Sequence, residues 1–176
     1  MTQKGTHSYI EDPRNESILI YVDGKIVPRQ EAKVSVFDSG FLLGDGVWEG
    51  IRLQNGHLCF QEEHIKRLFE GAGALKIDIG KSEDEMVSLI HETLFANGMK
   101  SDVHIRLIVS RGLKRTPYQH PNANVGGPTI VIIPEYKKAD LAMIEKGIRL
   151  CTVDTIRGPQ NVQDPRLNTL SKLNCI

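Results

Sequence analysis

An α+β fold is predicted for this chain of 176 residues, on three observations. Two helical segments, 61–76 and 82–97, follow one another directly instead of alternating with strands, which argues against a doubly wound parallel sheet. Runs rich in β-branched residues bracket the pair on both sides. Asp23-Gly24 and Asn55-Gly56 each stand between two such runs, the signal of a tight antiparallel hairpin.

In chain order, residues 1–16 are polar, carry both signs of charge and read as a mobile arm. Residues 18–22 and 25–27 are the strands of the first hairpin, closed by Pro28. The alternation over 33–37 predicts a half-buried strand, and 38–46, with three glycines, a loop. Residues 47–53 and 58–60 form the second hairpin. In 61–76, Ile65, Leu68, Phe69, Ala72 and Leu75 make one apolar stripe at helical spacing. Ser82 and Glu85 form a capping box that starts the second helix, and Asn97-Gly98 ends it. Val103, Ile105, Leu107 and Val109 share one face of a strand over 102–110. The polar stretch 111–127 is too long for an ordinary connection and points to function. A central strand is expected over 129–133, a connection over 134–145, another strand over 147–153, a loop over 157–166 and a helix from about Leu170.

Composition excludes several classes. Hydrophobic residues at 40% and charged residues at 25% are ordinary globular values. A formal net charge of zero leaves no electrostatic footprint for nucleic acid or an anionic membrane. No apolar run approaches the ~20 residues that span a bilayer. The N-terminus resembles neither a signal nor a transit peptide, so a cytoplasmic protein is expected. Cys59, Cys151 and Cys175 lack metal-ligand spacing and read as reduced thiols, with no metal site.

Two groups of residues suggest chemistry. Leu167, Leu170, Leu173 and Ile176 recur at helical spacing, which sets Lys172 beside an apolar stripe near a helix start. Burial there would lower an ammonium pKa, the condition for a nucleophilic, Schiff-base-forming lysine. His64 and Arg67 share a face of the 61–76 helix. A guanidinium is the planar, permanently charged fork suited to phosphate oxygens, although a solvated helix flank is the competing reading. Gly44-Asp45-Gly46 lacks the strand–GxGxxG–helix setting of a nucleotide loop and reads as a tight turn.

Three segments carry a resemblance to a known family: Gly44-Asp45-Gly46-Val47-Trp48-Glu49-Gly50-Ile51-Arg52, Glu63-His64-Ile65-Lys66-Arg67-Leu68, and Leu167-Asn168-Thr169-Leu170-Ser171-Lys172-Leu173-Asn174. Together they resemble the pyridoxal-phosphate-dependent aminotransferases of fold type IV, from about Ile18 to the last residue. That family includes branched-chain and D-amino acid aminotransferases, R-selective amine transaminases and aminodeoxychorismate lyase.

The resemblance implies pyridoxal 5'-phosphate held as an internal aldimine on Lys172, with Arg67 on its phosphate and His64 in support. Trp48 and Glu49 match positions beside the cofactor on the substrate side, and Glu49-Gly50-Ile51-Arg52 looks most like the branched-chain members. In the 111–121 loop, Thr116 and Tyr118 stand where D-amino acid enzymes place Arg and His to grip a carboxylate. Arg115, one position off, is a candidate substitute or a solvated loop cation. The implied substrates are an amino donor, branched-chain-like or a D-amino acid, and a 2-keto acid, and the implied assembly is a homodimer.

On this reading residues 17–136 form an N-terminal α+β domain, 137–146 an interdomain connection and 147–176 the start of a second, β-rich domain. The carboxylate facing the pyridine nitrogen, the tyrosine after the lysine and the phosphate-capping amides would lie past Ile176. The 176-residue polypeptide is then expected to be inactive, with Leu150, Val153, Leu167, Leu170 and Leu173 exposed or poorly ordered. Aminodeoxychorismate lyase and R-selective amine transaminase chemistry remain open, as does a non-catalytic interaction module.

Overall fold

The computed structural model describes residues 11–138, 145–148, 150–154, 156, 158–159, 161–162 and 164–172. Its elements are β1 (Leu19–Val22), β2 (Lys25–Pro28), α1 (Ser39–Leu43), β3 (Gly46–Gln54), β4 (His57–Leu58), α2 (Gln61–Ala74), α3 (Glu83–Ala96), β5 (Val103–Ser110) and β6 (Thr129–Tyr136). The strands make one antiparallel sheet of six in the order β2-β1-β6-β5-β3-β4, so the expected α+β architecture is observed.

Both hairpin turns form as their residues require. Asp23 and Gly24 have φ of 47° and 92°, and Asn55 and Gly56 have φ of 50° and 82°, the left-handed pair of a two-residue hairpin loop. The predicted capping box is present, with Glu85 N–H donating to Ser82 Oγ at 3.2 Å and Ser82 N–H to Glu85 Oε2 at 2.6 Å. Asn97 ends α3 and ties it to β1, its side chain exchanging hydrogen bonds with the N–H and C=O of Leu19.

The core lies between one face of the sheet and the two long helices. Val47, Ile51 and Leu53 of β3, the four alternating residues of β5, and Ile130 and Ile132 of β6 are buried against Ile65, Leu68 and Ala72 of α2 and Met86, Ile90 and Leu94 of α3. Each of the Val, Leu, Ile and Met side chains among these contributes about 1.5–3 kcal/mol of transfer free energy. Gly71 permits the close approach of α2 to β3, since a Cβ there would lie 3.3 Å from Val47 Cγ1. The period of two then leaves Trp48, Gly50 and Arg52 of β3, with His104 and Arg106 of β5, on the opposite face.

The structure corrects several sequence expectations. Residues 33–37 are not a strand: Val34, Val36 and Phe37 are 45%, 66% and 45% exposed and, among the described residues, no strand pairs with them. The expected 38–46 loop contains α1, whose N-cap Asp38 accepts from the N–H groups of Gly40 and Phe41 and whose exit is the left-handed Gly44. Strand β6 continues through Pro134 to Tyr136. Its pairing with β1 covers only Ile132 and Val131, so the donor that Pro134 lacks is not needed on that side. Part of the expected arm is anchored, because Asn15 exchanges two hydrogen bonds with the backbone of Tyr136 and Arg14 stacks on the Tyr136 ring.

The described residues of 147–153 form no strand, and Leu150 and Val153 are exposed as expected at 86% and 65%. No helix begins near Leu170 among the described residues; Thr169 instead bridges to Val47 in antiparallel fashion. Leu167 and Leu170 are half-buried and Thr169 is buried, because the free edge of β3 gives this segment something to pair with. Leu173 and Ile176 of the expected helical stripe lie outside the described residues.

Candidate functional site

The lysine segment is held as an extra strand. On one edge β3 pairs with β5 along its length, and on the other β4 covers only Leu53 and Gln54. Residues 168–170 occupy the rest of that second edge. Trp48 N–H donates to Asn168 O at 2.9 Å, and Leu170 N–H to Gly46 O at 2.9 Å. The Trp48 indole adds a third bond, Nε1–H to Thr169 O at 3.0 Å. The glycines of 40–46 make room: a Cβ on Gly46 would lie 2.6 Å and one on Gly40 2.9 Å from Leu170 Cδ1, and one on Gly44 3.2 Å from Ser171. The tight turn read from the sequence is thus also the surface on which Leu170 and Ser171 lie.

This docking delivers Lys172 to Trp48. Its Nζ lies 5.2 Å from the indole centroid, within cation–π range, and donates to Asn168 Oδ1 at 3.0 Å. The apolar neighbour expected from a helical stripe is supplied by an aromatic ring on another strand. Arg106 also stacks on Trp48, with Cζ 3.8 Å from the ring centroid.

Around Trp48 the sheet face is basic. Arg52 Nη1 donates to Lys137 O at 2.8 Å. Burial first, then the positive charges of Arg106, Lys137 and Arg52, push His104 down from 6.5 to about 4. Burial also lowers the Arg106 pKa, partly countered by Glu135. His104 and Arg106 were absent from the sequence-derived set. Their signal was present in the alternation of 103–109, which puts its even positions on the face shared with Trp48.

Glu49 points the other way, into the layer between β3 and α2. Its carboxylate is 0% exposed. Oε1 accepts from Arg67 Nε at 2.6 Å, and Oε2 accepts from Arg67 Nη2 at 2.7 Å and from His64 Nδ1 at 2.8 Å. A carboxylate only accepts, so the His64 proton resides on Nδ1. Burial alone would raise the Glu49 pKa, but the hydrogen bonds from Arg67 and then His64 outweigh it and hold the group below the usual carboxylate range. The same pair raises Arg67, whose side chain is 52% exposed. His64 and Arg67, expected to share a helix face, therefore meet on one carboxylate. Glu49, expected on the substrate side beside Trp48, is turned toward α2 instead, because adjacent strand residues face opposite ways.

Arg115 and Tyr118 lie in the 111–128 loop. Arg115 N–H donates to Ala123 O at 2.7 Å, and Tyr118 is 71% exposed. Among the described residues neither is hydrogen-bonded to Trp48, Lys172 or Arg67. The loop is braced by Lys114, 4% exposed, whose Nζ donates to Asn124 Oδ1 at 2.8 Å. Arg111 anchors its start, pairing with Asp45 and donating to Leu75 O and Lys76 O at the exit of α2.

The arrangement is thus a lysine amine against an aromatic ring on a basic sheet face and, on the opposite side of β3, a half-exposed guanidinium held by a buried carboxylate. Among the described residues no cluster of three or more metal-ligating side chains exists, and no helix is long and apolar enough to cross a membrane.

Residues 46–176 match the family described as amino-transferase class IV, and the chain belongs to that family. It is 40% identical over 164 residues to the branched-chain-amino-acid aminotransferase-like protein 1 of Arabidopsis thaliana, covering 93% of this chain and 29% of that protein. It is 41% identical over 157 residues to a putative branched-chain-amino-acid aminotransferase of Methanocaldococcus jannaschii, covering 89% of this chain and 53% of that one. Its fold matches the crystal structure of a branched-chain aminotransferase from the thermophilic archaeon Thermoproteus uzoniensis with norvaline. The TM-score is 0.76 at 26% identity, over 90% of this chain and 53% of that one. The chain therefore spans about half the length of the latter two relatives, and less of the first.

Proposed function

We propose that the protein is a pyridoxal-5'-phosphate-dependent aminotransferase that passes an amino group between a branched-chain-like or D-amino acid and a 2-keto acid. The observation that carries this reading is the docking of residues 168–170 on β3, which presents the Lys172 amine beside Trp48. Family membership and the names of the relatives support the class of reaction.

The donor set fits the cofactor. A primary amine is the group an aldehyde condenses with, and a guanidinium with one nitrogen left outside its ion pair suits a phosphate. When bound, the cofactor would supply an electron sink. Lys172 would anchor it and Arg67 would hold its phosphate, with His64 bracing the Arg67–Glu49 pair. Lys172 Nζ would take and return a proton as general base and acid. Asn168 Oδ1 would orient that amine, and the Trp48 ring packs beside it. The cations around Trp48, Arg52 and Arg106 among them, would attract substrate carboxylates, with Arg115 and Tyr118 available on the loop if it folds over the face.

The reading extends to a homodimer in the cytoplasm, to an N-terminal domain over 17–136 with a connection at 137–146, and to a second domain beginning at 147. Borohydride reduction of a full-length version incubated with pyridoxal 5'-phosphate, followed by peptide mapping, tests the assignment. The pyridoxyl group is expected on Lys172, and a label mainly on another lysine would overturn it.

A further inference from the structure

We infer that Glu49 is a positioning residue that orients the Arg67 guanidinium for an anionic phosphate; this rests on the proposed role of Arg67. The starting point is a charge where the fold does not need one. Glu49 occupies a core-facing position of β3 between the buried Val47 and Ile51, and its side chain is fully buried. A well-packed apolar residue there would avoid the desolvation of a carboxylate, so the ion pair is weak evidence of a contribution to stability.

The geometry is that of a fixed fork. Glu49 engages Nε and Nη2 of Arg67 through separate oxygens at 2.6 and 2.7 Å, which sets the guanidinium plane and leaves Nη1 outside the pair. His64 Nδ1 donates to Oε2 at 2.8 Å from one turn earlier on α2, so the carboxylate is itself held by two side chains of that helix. The guanidinium remains half-exposed. A long, rotamer-rich side chain at a helix surface is thereby presented in one orientation, with its unused N–H groups available to an anion.

The measurement is the affinity of the full chain for pyridoxal 5'-phosphate and for pyridoxal, the same aldehyde without its phosphate, by absorbance titration. Glu49→Gln keeps the shape but turns one acceptor oxygen into a donor. It should weaken pyridoxal-5'-phosphate binding about tenfold, the cost of one disturbed charge-assisted contact, and leave pyridoxal binding unchanged. Added to Arg67→Ala, it should cause no further loss. Arg67→Lys, which keeps the charge but not the fork, should bind nearly as weakly as Arg67→Ala, and it decides the matter if Glu49→Gln does not fold.

Equal losses for both ligands would show a merely structural Glu49 and overturn the inference. So would tighter phosphate binding in Glu49→Gln, full additivity with Arg67→Ala, or wild-type affinity in Arg67→Lys. A loss in Arg67→Ala with none in Glu49→Gln sinks this inference alone; wild-type affinity in Arg67→Ala removes the phosphate role and this inference with it.

Discussion

Replacing Gly46 by alanine should both destabilise the fold and release the lysine segment. A Cβ at this position would lie 2.5 Å from Val109 O, 2.6 Å from Leu170 Cδ1 and 2.9 Å from Ser110 Cα. Two of these are backbone atoms of β5 that cannot move without opening the β3–β5 ladder, and the third is the side chain that seats residues 168–170. Overpacking of this kind costs about 1–3 kcal/mol. For a protein of this size that is a fall in Tm of about 2–12 °C. Gly73 on the exposed face of α2 is the matched control, because nothing lies within 4 Å of its Cβ position. Gly73→Ala should stabilise by about 0.4–1 kcal/mol, through the reduced entropy of the unfolded chain. Thermal unfolding by circular dichroism measures both variants. The single tryptophan, Trp48, reports the second effect, since its indole is bonded to Thr169 O. A Gly46→Ala variant with wild-type Tm and unchanged fluorescence would refute the packing argument, as would a destabilised Gly73→Ala.

Other expectations follow from the same contacts. Trp48→Phe removes the bond to Thr169 O at a cost of about 1 kcal/mol, read as faster hydrogen exchange in 168–172; unchanged exchange would remove the indole from the docking. Arg67→Ala should weaken pyridoxal-5'-phosphate binding by about 1.5–3 kcal/mol, whereas the exposed Arg115 contributes little, and equal affinities in a titration of the two alanine variants would count against the site. His104 is held neutral, its pKa lowered from 6.5 to about 4, so the unfolded state binds the extra proton in that window. Its contribution to stability is present above pH 6.5 and lost as the pH falls toward 4. His104→Gln should flatten that part of the stability–pH curve, and an unaltered slope would show that His104 is not its source.

The sequence by itself determined whatever depends on a few neighbouring residues. The left-handed turns at Asp23-Gly24 and Asn55-Gly56, the Ser82–Glu85 cap and the alternation of 103–109 all formed where they were read, because their causes act within a turn or two of chain. The motifs around Trp48, Arg67 and Lys172 were legible in the same way. Tertiary structure decided which of these residues meet. A period of two separates Trp48 from Glu49, but only the packing of α2 on β3 determines that Glu49 is the one enclosed with Arg67 and His64. The alternating 33–37 run joins no strand ladder among the described residues and stayed exposed. The 168–170 segment, apolar at helical spacing, was drawn into an extended bridge by the free edge of β3, some 120 residues earlier in the chain. Local propensity differs by only tenths of a kcal/mol per residue, so two backbone hydrogen bonds and a seat for Leu170 were enough to override it.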